Sequence, residues 1–120
     1  MLITKKMYIG VIIIFVFACA SMLAPRQGKP INQEGLKDGI YEGAYKWGPN
    51  KVKVEVLIDR SEIVDIKIIE HTKLRGKKAE EPIIKRIIEN QSTDVDAVSG
   101  ATNSSHVIMN AVQEAVSKAY

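Results

Sequence analysis

The sequence predicts an α+β fold: an antiparallel β-meander packed with two amphipathic helices, preceded by an N-terminal apolar membrane segment. Three observations carry this. Residues 51–69 alternate apolar and polar side chains in two successive runs, the pattern of strands with one buried face. Residues 79–90 and 103–120 carry apolar side chains at helical spacing. The strands come first and the helices follow, without β-α-β alternation, which points away from a parallel α/β sheet.

The chain has 120 residues, so a single domain is expected. The N-terminus lies outside it. Lys5 and Lys6 precede residues 7–24, an apolar run with no charge. A bilayer span takes about 20 such residues, whereas a signal-peptide core has about 7–15. Lysines before the run and Arg26 after it favour an N-terminus left in the cytoplasm and a domain on the far side of the membrane. Three fates compete. The run could remain as an anchor, be cut after Ala20 in the small-x-small sequence Ala18-Cys19-Ala20, or end in lipidation at Cys19. The retained anchor ranks first. Lipidation ranks second, because Phe17 is bulky where such sites carry a small residue. All three place the domain on the extracytoplasmic side of the cytoplasmic membrane.

Residues 25–35 (PRQGKPINQEG) are polar and read as a linker, leaving 36–120 as the domain. Residues 40–47 form a first strand, with Gly43 as a bulge or a point of close approach. Residues 48–50 turn the chain. Residues 51–58 put Val52, Val54, Val56 and Ile58 on one face. After a turn at 59–62, residues 63–70 resume the alternation through Val64, Ile66 and Ile68. Residues 71–78 read as a polar loop. Residues 79–90 form a helix with Ile83, Ile84, Ile87 and Ile88 as its stripe and Pro82 in its first turn. Residues 103–120 form the second, with Val107, Ile108, Ala111, Val112, Ala115 and Val116 inward.

Charge and composition narrow the function. Lys and Arg number 17, Asp and Glu 14, for a net +3. Lys5, Lys6 and Arg26 account for the whole excess, so the domain is nearly neutral. It lacks the basic face that nucleic acid demands. Cys19 is the only cysteine, which excludes an intramolecular disulfide and leaves no thiol chemistry in the domain. His71 and His106 have no neighbouring acidic pair, a poor basis for a metal site. His71 could touch a ligand or simply end a strand, and His106 reads as a surface residue. Tyr45 and Trp47 could stack on an aromatic ligand, but their strand spacing favours core packing. Asp94 and Asp96 sit in a linking segment and make no acid–base pair.

The chemistry concentrates in residues 96–105 (DAVSGATNSS). A helix starting near Asn103 or Ser104 leaves its first N–H groups without carbonyl partners, and with the helix dipole these favour an anion. Gly100 and Ala101 let the backbone approach a ligand, while Ser99, Thr102, Ser104 and Ser105 offer hydroxyls to phosphate oxygens. No Lys or Arg lies in the stretch. By itself it reads more readily as an ordinary N-cap, which most such stretches are.

Residues 96–102 fit the pattern D-x-x-[S/T]-G-A-T through Asp96, Ser99, Gly100, Ala101 and Thr102. This resembles the covalent flavinylation motif of FMN-binding domains, found in the C subunit of the sodium-pumping NADH:quinone reductase, the G subunit of the Rnf complex and small exported flavoproteins. The resemblance extends over about residues 38–119. It includes a D-G-x-Y-x-G opening (Asp38, Gly39, Tyr41, Gly43), the two alternating strands, Glu70-His71 and Gln91-Ser92. It implies FMN as cofactor, joined to Thr102 as a phosphoester by a flavin transferase that uses FAD and magnesium. It implies recognition by that transferase at Asp96, and an acceptor loop shaped by Ser99, Gly100 and Ala101, with Ser104 and Ser105 following. It also implies electron transfer with redox partner proteins, and a carrier more than an enzyme acting alone. Many members have a glycine-rich loop after the second paired strand, whereas residues 72–78 here read TKLRGKK, with one glycine. If this loop covers the flavin, His71 and Leu74 become contacts. Lys73, Arg75, Lys77 and Lys78 could then stabilise negative charge on the flavin or remain solvated. Two other readings stay open: non-covalent FMN binding in a reductase subunit or sensor, and a non-redox exported module that binds a ligand or partner.

Overall fold

A computed structural model describes residues 28–72 and 77–120. Strand β1 (Gly39–Trp47), β2 (Asn50–Asp59) and β3 (Glu62–Thr72) form a three-stranded antiparallel sheet in sequence order. Helices α1 (Lys77–Asn90) and α2 (Thr102–Ser117) follow. The fold is α+β, with both helices on one face of the meander. The apolar run at 7–24 lies outside the described residues. Among the described residues, no helix is long and apolar enough to cross a membrane.

The alternation of β2 supplies the centre of the sheet's buried face. Val52, Val54, Val56 and Ile58 are fully buried, and they meet Ile83 and Ile87 of α1 and Val107, Ile108, Ala111 and Val112 of α2. Each such side chain contributes about 1.5–3 kcal/mol by leaving water. Helix α2 lies over β1 and β2, while α1 lies over β3. Gly43 is where α2 comes closest. A Cβ there would sit 2.1 Å from the Ala111 carbonyl oxygen and 2.5 Å from the Ala115 nitrogen, so only glycine permits this approach, as its place in a strand suggested.

Strand β3 departs from the expected pattern. Val64 is exposed, while Ile63 and Ile66 are buried. The pairing with β2 slips twice, between Leu57 and Ile58 and between Lys53 and Val54. Each slip adds one residue to β3, the arrangement of a β-bulge, and each one exchanges the two faces. The first turns Val64 outward. The second turns Ile69 outward and brings His71 inward, opposite Val52. The strand also runs two residues beyond its expected end, so His71 and Thr72 belong to the sheet and not to a loop.

Helix α1 begins two residues earlier than predicted. Pro82 therefore lies inside it and not in its first turn, and the carbonyl of exposed Lys78 loses its intrahelical donor there. Gln91 ends the helix with φ +49°. Its amide then pairs with the backbone of β3: Ile63 N–H donates to Oε1 at 2.9 Å, and Nε2 donates to the Ile63 carbonyl at 2.9 Å.

The described part of the predicted linker is tied to the body. Pro30 bridges Ser92, and Ile31 N–H donates to the Gln91 carbonyl. Thr93 Oγ1 accepts from Lys29 N–H at 2.9 Å. It also lies 3.0 Å from the Lys29 carbonyl oxygen and 2.6 Å from Gln113 Oε1. Its one proton serves one of these two acceptors at a time.

Candidate flavin site at the open end of the sheet

The topology gathers the chemistry-bearing residues at one end. Lys37 N–H donates to the Ala119 carbonyl, which fixes the C-terminal end of α2 beside the start of β1. The N-terminal end of α2 therefore lies at the β1–β2 turn. Strand β3 ends there as well, with Thr72 opposite Lys51, and α1 starts five residues later. Thr102, Trp47, Asn50, His71 and the first turn of α1 thus share that end of the molecule.

Thr102 is the first residue of α2 and is exposed. The residue before it, Ala101, provides no side-chain cap. The sequence stretch 99–105 is therefore not an ordinary N-cap, and the positive end of the helix stays open to a ligand. Ser99 and Gly100 are exposed, and Gly100 takes φ +80°, a conformation that glycine adopts without penalty. Ala101 is buried, and its N–H closes a turn onto the Val98 carbonyl at 3.0 Å. Ser105 is fully buried and braces this turn from within: its hydroxyl donates to the Ala101 carbonyl at 2.7 Å and accepts from Val98 N–H at 3.0 Å. Ser104 is also buried. Thr102 is thus the exposed hydroxyl of the helix's first turn, while the two serines face the body.

Asp96 is exposed. Arg86 of α1 donates to its carbonyl at 2.7 Å, so the segment ahead of the acceptor loop is pinned to α1. A surface hollow of about 470 Å³ lies alongside, edged by Arg86, Asn90, Asp94 and Asp96.

Three residues were not singled out by the motif. A Cβ on Gly100 would sit 4.0 Å from Lys78 Nζ, so the cation absent from residues 96–105 is delivered by α1. Glu80, also on α1, holds His71: Nδ1 and Oε1 are 2.7 Å apart, and the His71 side chain is 5% exposed. Asn50, expected in a turn, opens β2 on the buried face with 0% exposure. The signal for it was available, since the inward parity of Val52 to Ile58 extends back to residue 50.

Asn50 Nδ2 and Oδ1 and His71 Nε2 are buried without a hydrogen-bond partner. Such atoms are rare in folded proteins because each one loses its water without replacement. Tyr45 and Trp47 are half-buried against the core, in keeping with the packing role their spacing favoured. Leu74, Lys73 and Arg75 lie outside the described residues.

The family model for the FMN-binding domain matches residues 46–117. The chain belongs to the FMN-binding domain family. FMN is accordingly its cofactor. The residues at the open end suit that group. An uncapped helix terminus and the ammonium of Lys78 suit a phosphate, and unpartnered buried polar atoms suit a heteroaromatic ring with donors and acceptors of its own. A protein of Treponema pallidum (strain Nichols) described as "Uncharacterized protein" is 33% identical over 81 residues, 66% of this chain and 22% of that protein. The chain thus matches about a fifth of that relative's length.

Proposed function

We propose that the protein is a membrane-tethered flavin carrier of the extracytoplasmic face. In this reading Thr102 bears FMN as a phosphoester, and the domain passes electrons between a membrane reductase and an acceptor protein. The observation that carries the proposal is the exposed Thr102 hydroxyl at the uncapped start of α2, preceded by Gly100 at φ +80° and flanked by Lys78. FMN supplies one- and two-electron transfer when bound.

The chain's own residues have distinct tasks. The Thr102 oxygen displaces AMP from FAD: its bond to the FMN phosphorus forms, the pyrophosphate P–O bond breaks, and the hydroxyl proton departs with the products. A flavin transferase supplies FAD and magnesium for this exchange. The resulting phosphodiester keeps one negative charge, which the N-terminal end of α2 and Lys78 stabilise. Ser105 keeps residues 98–101 in the turn that presents Thr102. Asp96, held by Arg86 through its carbonyl, gives the transferase an exposed carboxylate next to an open hollow.

Attachment suits a carrier outside the cytoplasm, where a dissociated cofactor would be lost by dilution. The test is denaturing electrophoresis of the full chain after expression with a flavin transferase. A fluorescent flavin band that survives denaturation in the native chain and in Thr102→Ser, but not in Thr102→Ala, supports the phosphoester. Flavin that co-purifies and is released on denaturation from all three supports non-covalent binding and overturns it.

A further inference from the structure

We propose that Asn50 and His71 Nε2, with His71 oriented by Glu80, recognise the imide edge of the flavin ring: its N3–H and the carbonyls on either side. This rests on the flavin-carrier reading and adds to it the side chains that read the ring. Among the described residues, the buried side-chain nitrogen and oxygen atoms without partners are Asn50 Nδ2, Asn50 Oδ1 and His71 Nε2. All three lie at the end of the sheet where Thr102 opens α2. They share the buried face, because Asn50 precedes inward Val52 by two residues and His71 stands opposite Val52. Such diagonal neighbours have reference positions about 7–8 Å apart, within reach of a single ring edge.

The chemistry is complementary. A side-chain amide offers an acceptor and two donors, and an imide edge presents one N–H between two carbonyls. Asn50 can therefore accept from N3–H and donate to an adjoining carbonyl. His71 is held through Nδ1 by Glu80 at 2.7 Å, which directs Nε2 away from that carboxylate and leaves it for a second contact. The second bulge of β3 is what turns His71 to this face. Without it, exposed Glu70 would point inward. An aliphatic side chain would fill the Asn50 position without stranding polar atoms, so a purely structural role explains the amide poorly.

The test uses the full chain in detergent, bare and flavinylated. The Asn50 side-chain NH2 and His71 ring ¹⁵N resonances should shift on flavinylation. Asn50→Leu should still be flavinylated at Thr102, yet change the ratio of oxidised to reduced flavin at a fixed potential by up to about fivefold, because the carbonyl that Asn50 donates to gains negative charge on reduction and that bond is stronger in the reduced state. Its bare form should melt no lower than the native bare protein, because the variant removes two unpartnered atoms. His71→Gln and Glu80→Gln should move the same ratio in smaller steps. Flavinylation at Thr102 with unmoved Asn50 and His71 resonances and an unchanged ratio in Asn50→Leu would overturn the inference and leave the carrier reading intact. A lower melting temperature of bare Asn50→Leu with an unchanged ratio would assign Asn50 to structure and overturn it equally. Absence of flavin from Thr102 in the native chain would remove both.

Discussion

At Gly100 the backbone and the chemistry meet. Its φ of +80° lies where a Cβ is strained, although space for one exists. Gly100→Ala should therefore destabilise the domain by about 1–2 kcal/mol, a conformational cost and not a clash. Urea unfolding measures it, and an unchanged midpoint would contradict the role assigned to this turn. Lys78 makes a different prediction. It is exposed, so its charge is screened and its contribution to stability small. Lys78→Met should leave the melting temperature unchanged and slow flavin attachment by about two- to fivefold, read from the time course of covalent fluorescence. An attachment rate equal to the native chain's would separate Lys78 from the phosphate. Thr102, Gly100 and Asp96 were legible because they share one short stretch. Asn50 was legible as an inward residue from the parity of β2 and Lys78 as one of several loop cations, but their place beside that stretch, like that of Glu80, was not, because only folding brings α1 and the start of β2 to it.

Two elements show what periodicity can and cannot deliver. β2 alternates without interruption from residue 50 to 58, and its buried face follows from the residues alone. β3 reads just as regularly in sequence, but its two bulges exchange the faces. An insertion of one residue opposite a partner strand leaves no mark on apolar spacing when neighbours such as Ile63, Val64 and Ile68, Ile69 are all apolar. The same limit hid the inward turn of His71. The close contact of β1 and α2 is the opposite case, because a lone strand glycine announces it. Gly43→Ala would place its methyl 2.1 Å from the Ala111 carbonyl oxygen, which forces α2 off the sheet. A loss of about 1–3 kcal/mol or more is expected from such overpacking, with a parallel drop in flavin attachment as the start of α2 shifts. Calorimetry of the full chain checks the first, and native-like stability would mean that α2 does not lie where described.

For the whole molecule, the order of strands and helices was readable, while the docking of residues 28–31 was not. That stretch is polar and contains proline and glycine, the composition of a linker, yet buried Thr93 binds its backbone. Thr93→Val keeps the shape and removes the hydroxyl, leaving Lys29 N–H without its acceptor. It should lower stability by about 1–3 kcal/mol, measured by urea unfolding, and make residues 28–31 newly susceptible to protease. If stability and cleavage stay native, the segment is held by other means. In the proposed reading, the apolar run at 7–24 tethers the domain to the extracytoplasmic face. A phosphatase fused after residue 120 should be active only on the extracytoplasmic side, and activity confined to the cytoplasm would contradict the tethered orientation. The central claim, that Thr102 carries FMN through its phosphate, is tested most directly by intact mass and peptide mapping of the full chain expressed with a flavin transferase. One added FMN phosphoester is expected on the peptide containing Thr102, absent from Thr102→Ala. An unmodified native mass, or flavin mapped to another residue, would contradict it.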